Sequence, residues 1–464
     1  MLRRVLTLGV ACAALAGVPA SASAAPAWSA PANVSAAAND LSTTDVGIDA
    51  HGRALASWPY STWLSGTPHG HYVLGGSRTA SRPPGAAAFD PPRGAPVFAS
   101  GPVLYGISRA VGLDQRALDW NRCGQRTTLR ARFGTSSGAF DAPRTIVTSR
   151  GPGGDGKPVV AANGSGVVLA AWGAVPGTEC RNSIVQASIR RPGGSGFGAP
   201  FTLRGSGQSE APSVAVGSGG DLLVAWSRRI GNGRTRIEAR VRPAGHGWSP
   251  VATLGTGSVA GPVVTAVAQN GRAYVAWAAQ NISESTGLTA GVSVAVRPSG
   301  ASSFRAATTL ERIATRTAFL PRFAPVLALA GTSALIGWTG HDTAWRVRVA
   351  RSGTDGAFGA PQTVSAAGVD SLLGDLAALP DGTAAVTWSG LDGEQLVKDV
   401  WAAVRPAGGV FGAPEQVSDG ALRLPSIALD PTTREPTVLW PQRLGSQTSV
   451  SKITAYVRAS TRSG

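Results

Sequence analysis

Apolar and polar positions alternate in short runs along most of this chain, and the runs are broken by Gly, Pro, Asn and Asp. Residues 211–254 show the unit. Pro212-Ser213-Val214-Ala215-Val216 leads into a glycine turn, Gly217 to Asp221, and then into Leu222 to Trp226. After a polar stretch, Ile237, Ala239 and Val241 alternate with Glu238, Arg240 and Arg242. Pro243-Ala244-Gly245 then turns the chain into Gly247 to Leu254. Period-two alternation bounded by turn residues predicts strands, here four per unit, lettered A to D. No segment carries the 3.6-residue period of an amphipathic helix.

The unit repeats. Leu223-Val224-Ala225-Trp226 returns as Leu169-Ala170-Ala171-Trp172 and Tyr274-Val275-Ala276-Trp277. Looser copies end at Trp58, Trp120, Trp338, Trp388 and Trp440, at spacings of 62, 52, 54, 51, 61, 50 and 52 residues. Four-stranded units at such a period predict a β-propeller, with a linear β-solenoid as the alternative. The chain ends favour a ring. The last unit stops at strand C, Ile453 to Arg458, while Ala27 to Ser35 is an orphan that reads like a D strand. Docked on the last blade, that orphan would close the ring and cover an exposed edge. The expectation is an all-β fold: one propeller of eight four-stranded blades, residues 25–464. A seven-bladed ring with one aberrant blade is the variant, because units one and two are irregular. The eight tryptophans share one repeat position, at the end of strand B. They are expected to pack between blades.

Before the first unit come Arg3 and Arg4, an apolar run from Val5 to Pro19, and small residues up to Ala24. This is the pattern of a secretory signal peptide, residues 1–24, too short to be a stable membrane span. The mature protein is therefore expected to be secreted, with no membrane span, and a monomer is the simplest assembly. Export leaves two cysteines, Cys123 and Cys180, in B–C loops of adjacent blades. An oxidising compartment favours a disulfide between them over a pair of buried thiols.

Of 464 residues 42 are basic and 26 acidic, and only three of the basic ones are Lys. A formal charge of +16 invites a nucleic-acid reading. Several arginines, however, recur at one repeat position near the end of strand C: Arg191, Arg242, Arg297, Arg405 and Arg458. They spread the charge round the ring and imply a structural or solubility role. With export, this argues against nucleic acid as a partner.

In this topology the short, repetitive A–B and C–D turns share one face, and the variable B–C and D–A loops share the other. Binding residues favour variable loops on a rigid scaffold. Three groups stand out there. Blade one carries Tyr60, Trp63, His69 and His71 in an insertion suited to a lid or ligand platform. Blade four carries Arg228, Arg229, Arg234 and Arg236, which could hold a carboxylate or phosphate. Blade six carries His341, Asp342 and Trp345, an imidazole, a carboxylate and an aromatic able to hold a sugar. No metal is expected, since His69 and His71 lack further ligands alongside. No cofactor motif is present. Acids expected on this face are Glu210, Asp342, Asp370, Asp392 and Glu394, and no catalytic residue is assigned among them.

The Gly-turn–Val-Ala-Trp strand and the Val-Arg-Pro…Phe-Gly-Ala-Pro segment, as at Val404-Arg405-Pro406 and Phe411-Gly412-Ala413-Pro414, resemble those of secreted sialidase-like (BNR-type) propeller proteins of actinobacteria. The resemblance implies the fold. The Asp-boxes of true sialidases are absent, and those enzymes are similar to six-bladed rings. The calcium loop of FG-GAP repeats is absent as well. The favoured reading is thus a non-enzymatic propeller binding a glycan or other anionic surface polymer on its variable face. The alternative is a sialidase-like glycoside hydrolase or lyase. An enzyme should gather two acids, or Tyr, Glu and three Arg, around the mouth of the central channel.

Overall fold

The computed structural model describes residues 27–463, apart from 36–37, 40–43, 65–70, 96–97, 106–108, 117–125, 135–138, 151–157, 176–182, 205–207, 284–286, 316–323, 392–396 and 444–453. The predicted signal segment, Trp120, both cysteines and His69 lie outside the described residues. Among those described, every regular element is a strand, and no helix is long and apolar enough to cross a membrane.

The strands form eight antiparallel sheets in chain order. Blade four is representative, with strands Gln208–Val216, Leu222–Arg229, Thr235–Arg242 and Ala252–Gly257. The eight inner strands are Asp45–Ile48, Phe98–Tyr105, Val159–Ala162, Gln208–Val216, Val259–Val267, Val326–Ala330, Ser371–Ala378 and Ser426–Leu429. Each lies against the next, and the eighth lies against the first. This is the arrangement of an eight-bladed propeller. The irregular second unit also forms four strands, Phe98–Tyr105, Arg109–Arg116, Arg126–Phe133 and Arg144–Arg150.

The tryptophans explain how blades adhere. Trp58, Trp172, Trp226, Trp277, Trp338, Trp388 and Trp440 are all buried. Each packs against the blade before its own. Trp226 joins Leu169, Val185 and Ala187 of blade three, and Trp338 joins Tyr274 and Val292 of blade five. Trp58 of blade one joins Leu439 and Val457 of blade eight. A large flat side chain fills the wedge between two twisted sheets, so one repeat position supplies successive interfaces.

The N-terminal segment runs along the C-terminal strand, Thr454–Ser463. Ala27 pairs with Ser463, Ala32 with Ala459 and Ala38 with Ala455. The orphan strand of the sequence reading therefore sits at the outer edge of blade eight, as expected.

Two registers correct the arginine repeat. The strand-C residue opposite the first residue of strand B is Arg82, Arg190, Arg242, Arg297 and Arg405 in blades one, three, four, five and seven, and in blade eight Arg462 follows Thr461, the partner of Thr437. Arg458 instead faces Trp440, four residues earlier along the strand, and Arg190, not Arg191, holds the position in blade three. The C-terminal strand continues beyond Arg458 to Ser463, which the polar composition of its last residues concealed. In three blades the role is structural. Arg190 donates to the Gly166 carbonyl of its own A–B turn at 3.0 Å, and Arg405 donates to the equivalent Gly382 carbonyl. Arg462 clasps Glu415 of blade seven with two bonds of 2.8 and 2.9 Å.

Candidate functional site

The variable face begins where strands B end. The inner-strand residue paired with the position before each Trp marks the rim of the central channel. In blade one that residue is Asp45, opposite Ser57. In blade seven it is Asp375, opposite Thr387. Elsewhere the position holds Val159, Ser213, Val264, Val326 and Ser426. One residue deeper, the channel wall turns apolar: Val46, Val160, Val214, Leu327, Leu376 and Ile427 line a cavity of about 660 Å³.

The two acids are linked round the rim through blade eight. A bulge at Gly374, which leaves no room for a side chain against Pro425, turns Asp375 towards its neighbour. Asp375 accepts the Leu376 N–H at 2.8 Å and the Ile427 N–H at 3.1 Å. Next along, the Ser426 hydroxyl lies 3.3 Å from that of Thr44, the residue before Asp45. Asp45 is exposed at the rim, with protein crowded around its carboxyl. Burial raises its carboxyl to about 6, against the lowering effect of the Val46 N–H. Burial raises Asp375 further, to about 7, and the charge of Asp45 adds to the rise. Two carboxyls raised to different extents, to about 6 and about 7, can supply one acid and one base. Neither was singled out from the sequence. The available signal was a lone acid inside an apolar inner strand, as in Ser371-Leu372-Leu373-Gly374-Asp375-Leu376.

The blade-six group is brought together. His341 ends strand Ser333–His341 and Trp345 opens strand Trp345–Arg351, so only residues 342–344 form the loop. The two rings face across the hairpin, 4.5 Å between centroids, both part-exposed. Trp345 also rests on Ala278, Ala290 and Ile313 of blade five. Asp342 caps the turn by accepting the Thr343 N–H at 2.6 Å, and it pairs with Arg348 at 3.1 Å. The Ala344 N–H above all, then the Thr343 N–H and Arg348, hold its carboxyl below the ordinary range, which suits a structural anchor. Glu311, reaching over from blade five, accepts the Trp338 indole N–H at 2.5 Å and pairs with Arg348 at 3.0 Å. Asp370 accepts the Trp345 N–H at 2.7 Å. Strand Ser371–Ala378 starts at the next residue, so the hairpin is tied directly to the strand that carries Asp375.

The arginine group is corrected. Arg228 and Arg229 end strand Leu222–Arg229, Arg236 lies in strand Thr235–Arg242, and only Arg234 sits in the connecting turn. The alternation of strand C began two residues before its first apolar position, so the loop is shorter than it read. Arg228 is committed to the buried Glu238 at 2.8 Å, and Glu238 also accepts the Trp226 indole N–H at 3.1 Å. Arg228 thus secures the core.

The blade-one insertion is corrected as well. Tyr60 and Trp63 belong to strand Ala54–Leu64, and His71 opens strand His71–Arg82. Trp63 pairs with Tyr72 and Leu64 with His71. The B–C connection is an elongated hairpin instead of a long loop, because the Tyr60–Leu64 and His71–Gly76 runs pair with each other. Of the remaining expected acids, Glu210 lies on strand Gln208–Val216, and Asp392 and Glu394 lie outside the described residues.

No protein-family model matches the chain, and no curated protein matches it. Solved structures do. The chain is similar to the Hadza microbial sialidase Hz136, at 12% identity over 92% of this chain and 94% of that one, TM-score 0.37. It is similar to an ulvan lyase, at 9% identity over 78% and 92%, TM-score 0.45. It is similar to a puromycin hydrolase mutant, at 12% identity over 85% and 58%, TM-score 0.47.

Proposed function

We propose that this is an exported propeller that binds a glycan across its variable face, from the His341–Trp345 hairpin to the channel mouth. The observation that carries the reading is the part-exposed ring pair, tied through Asp370 to the strand that carries Asp375. An aromatic ring offers a flat apolar platform for the C–H face of a sugar, and the adjoining polar groups fix its orientation. The N-terminal strand on blade eight serves, on this reading, as the clasp that holds the ring shut. Cleavage after Ala24 and a Cys123–Cys180 bridge complete the exported form.

A second reading is favoured by one specific feature. Asp45 and Asp375 at the channel mouth are electrostatically coupled carboxyls, and glycoside hydrolases work with two carboxyl groups. A glycan array that reports both retained protein and released sugar separates the two. Retention without release supports a binding protein. Release that disappears in Asp375→Asn makes the pair the catalytic acids. Absence of both signals contradicts both readings.

A further inference from the structure

The opposite face, formed by the A–B and C–D turns, holds a second cavity. It lies between blades three and four and has a volume of about 630 Å³, in the range of small-ligand sites. One wall is aromatic. Trp248, in the C–D segment of blade four, lies against Phe201 of blade three with 5.7 Å between ring centroids. From outside the cavity, Arg240 backs Trp248 at 5.9 Å and is itself held by the Ser249 carbonyl at 2.7 Å. The indole is thus fixed in place by groups that do not occupy the cavity.

The rim is cationic. Arg191 and Arg242 both line the cavity, and His246 stands with them. Arg242 places its Nε on the His246 carbonyl at 2.8 Å, which leaves its two Nη groups without an acceptor among the described residues. Arg191 is exposed. No Asp or Glu lines the cavity. Asp221 stands beside it, and its carboxylate accepts the Ala244 N–H at 3.3 Å. Two guanidinium groups thus flank an aromatic wall that no carboxylate lines.

We propose that this cavity binds an acidic sugar residue, its ring stacked on Trp248 and its carboxylate or sulfate held between Arg191 and Arg242. A guanidinium presents paired donors that match the oxygens of such a group. This site is separate from the variable-face site and does not depend on it.

Calorimetric titration with trigalacturonate and with a chondroitin sulfate hexasaccharide tests the assignment, with maltohexaose as the neutral control. At least one acidic probe should bind, and the neutral one should not. Trp248→Ala and Arg242→Ala should each weaken binding at least tenfold. Arg191→Ala, on an exposed side chain, should weaken it severalfold with an unchanged melting temperature, which separates lost binding from lost folding. Trp345→Ala, on the other face, should leave it unchanged. Failure of both acidic probes to bind the folded wild-type protein would overturn the proposal. So would wild-type binding by both Arg191→Ala and Arg242→Ala. If Trp345→Ala alone abolishes acidic-probe binding, the ligand belongs to the variable face and this cavity is not its site.

Discussion

The carboxylate of Asp375 in blade seven accepts the backbone N–H of Ile427 in blade eight at 3.1 Å, so a channel-rim acid is also a bond between blades. The two roles pull in different directions as pH changes. Asp375 and Asp45 both hold their protons more tightly when folded, at about 7 and about 6, than at the ordinary 3.8. Between those values the native state binds more protons than the unfolded chain, so the stability these groups contribute is fully present below about pH 4 and is lost as pH rises through 6 and 7. Asp45→Asn and Asp375→Asn should therefore gain in melting temperature relative to wild type as pH goes from 4 to 8. A difference that stays constant over that range would refute the assignment.

Glu238 is buried and serves Trp226 and Arg228 together, with Arg204 3.7 Å away. Glu238→Ala would leave an indole N–H and a largely buried guanidinium without their acceptor. Removing one partner of such a pair costs roughly 3–5 kcal/mol. Glu238→Gln keeps an acceptor for the indole and should cost less. Urea unfolding checks both values, and equal losses would show that the charge of Glu238 is immaterial.

Trp28, at the outer edge of blade eight, packs against the hydrophobic cluster that holds Val417 and Trp440. If the N-terminal strand clasps the ring, Trp28→Ala should lower the melting temperature, and removal of residues 25–35 should lower it further. An unchanged melt for the shortened chain would mean the ring holds without it.

Intact-mass analysis of protein recovered from the medium should give a chain beginning at Ala25. Alkylation should label neither Cys123 nor Cys180 until the protein is reduced. A bridge closing that loop stabilises by roughly 4 kcal/mol in the chain-entropy model. Labelling of both thiols before reduction would exclude it.

The blade count, strand order and the burial of the seven described repeat tryptophans were all legible in the sequence, because a repeated apolar alternation leaves one way to bury each sheet. The blade-six group was legible too, since His341, Asp342 and Trp345 are neighbours in the chain. Asp45 and Asp375 were not. They lie 330 residues apart in the sequence, and only ring closure brings their blades to either side of blade eight. The Trp248 cavity was hidden for a related reason: Phe201, Arg191 and Trp248 come from two different blades, and each alone looks like ordinary turn chemistry. The arginines of blade four misled in the opposite sense, because a run of charge resembles a loop even where its backbone is paired.

The central claim is that a glycan lies against the His341–Trp345 hairpin. The most direct test applies one glycan array to wild type, His341→Ala and Trp345→Ala at matched folded concentration, and reads retained protein on each spot. The account predicts retention by wild type on at least one glycan class, reduced at least tenfold in Trp345→Ala and severalfold in His341→Ala. Retention that survives both substitutions, or none by the folded wild type, would contradict it.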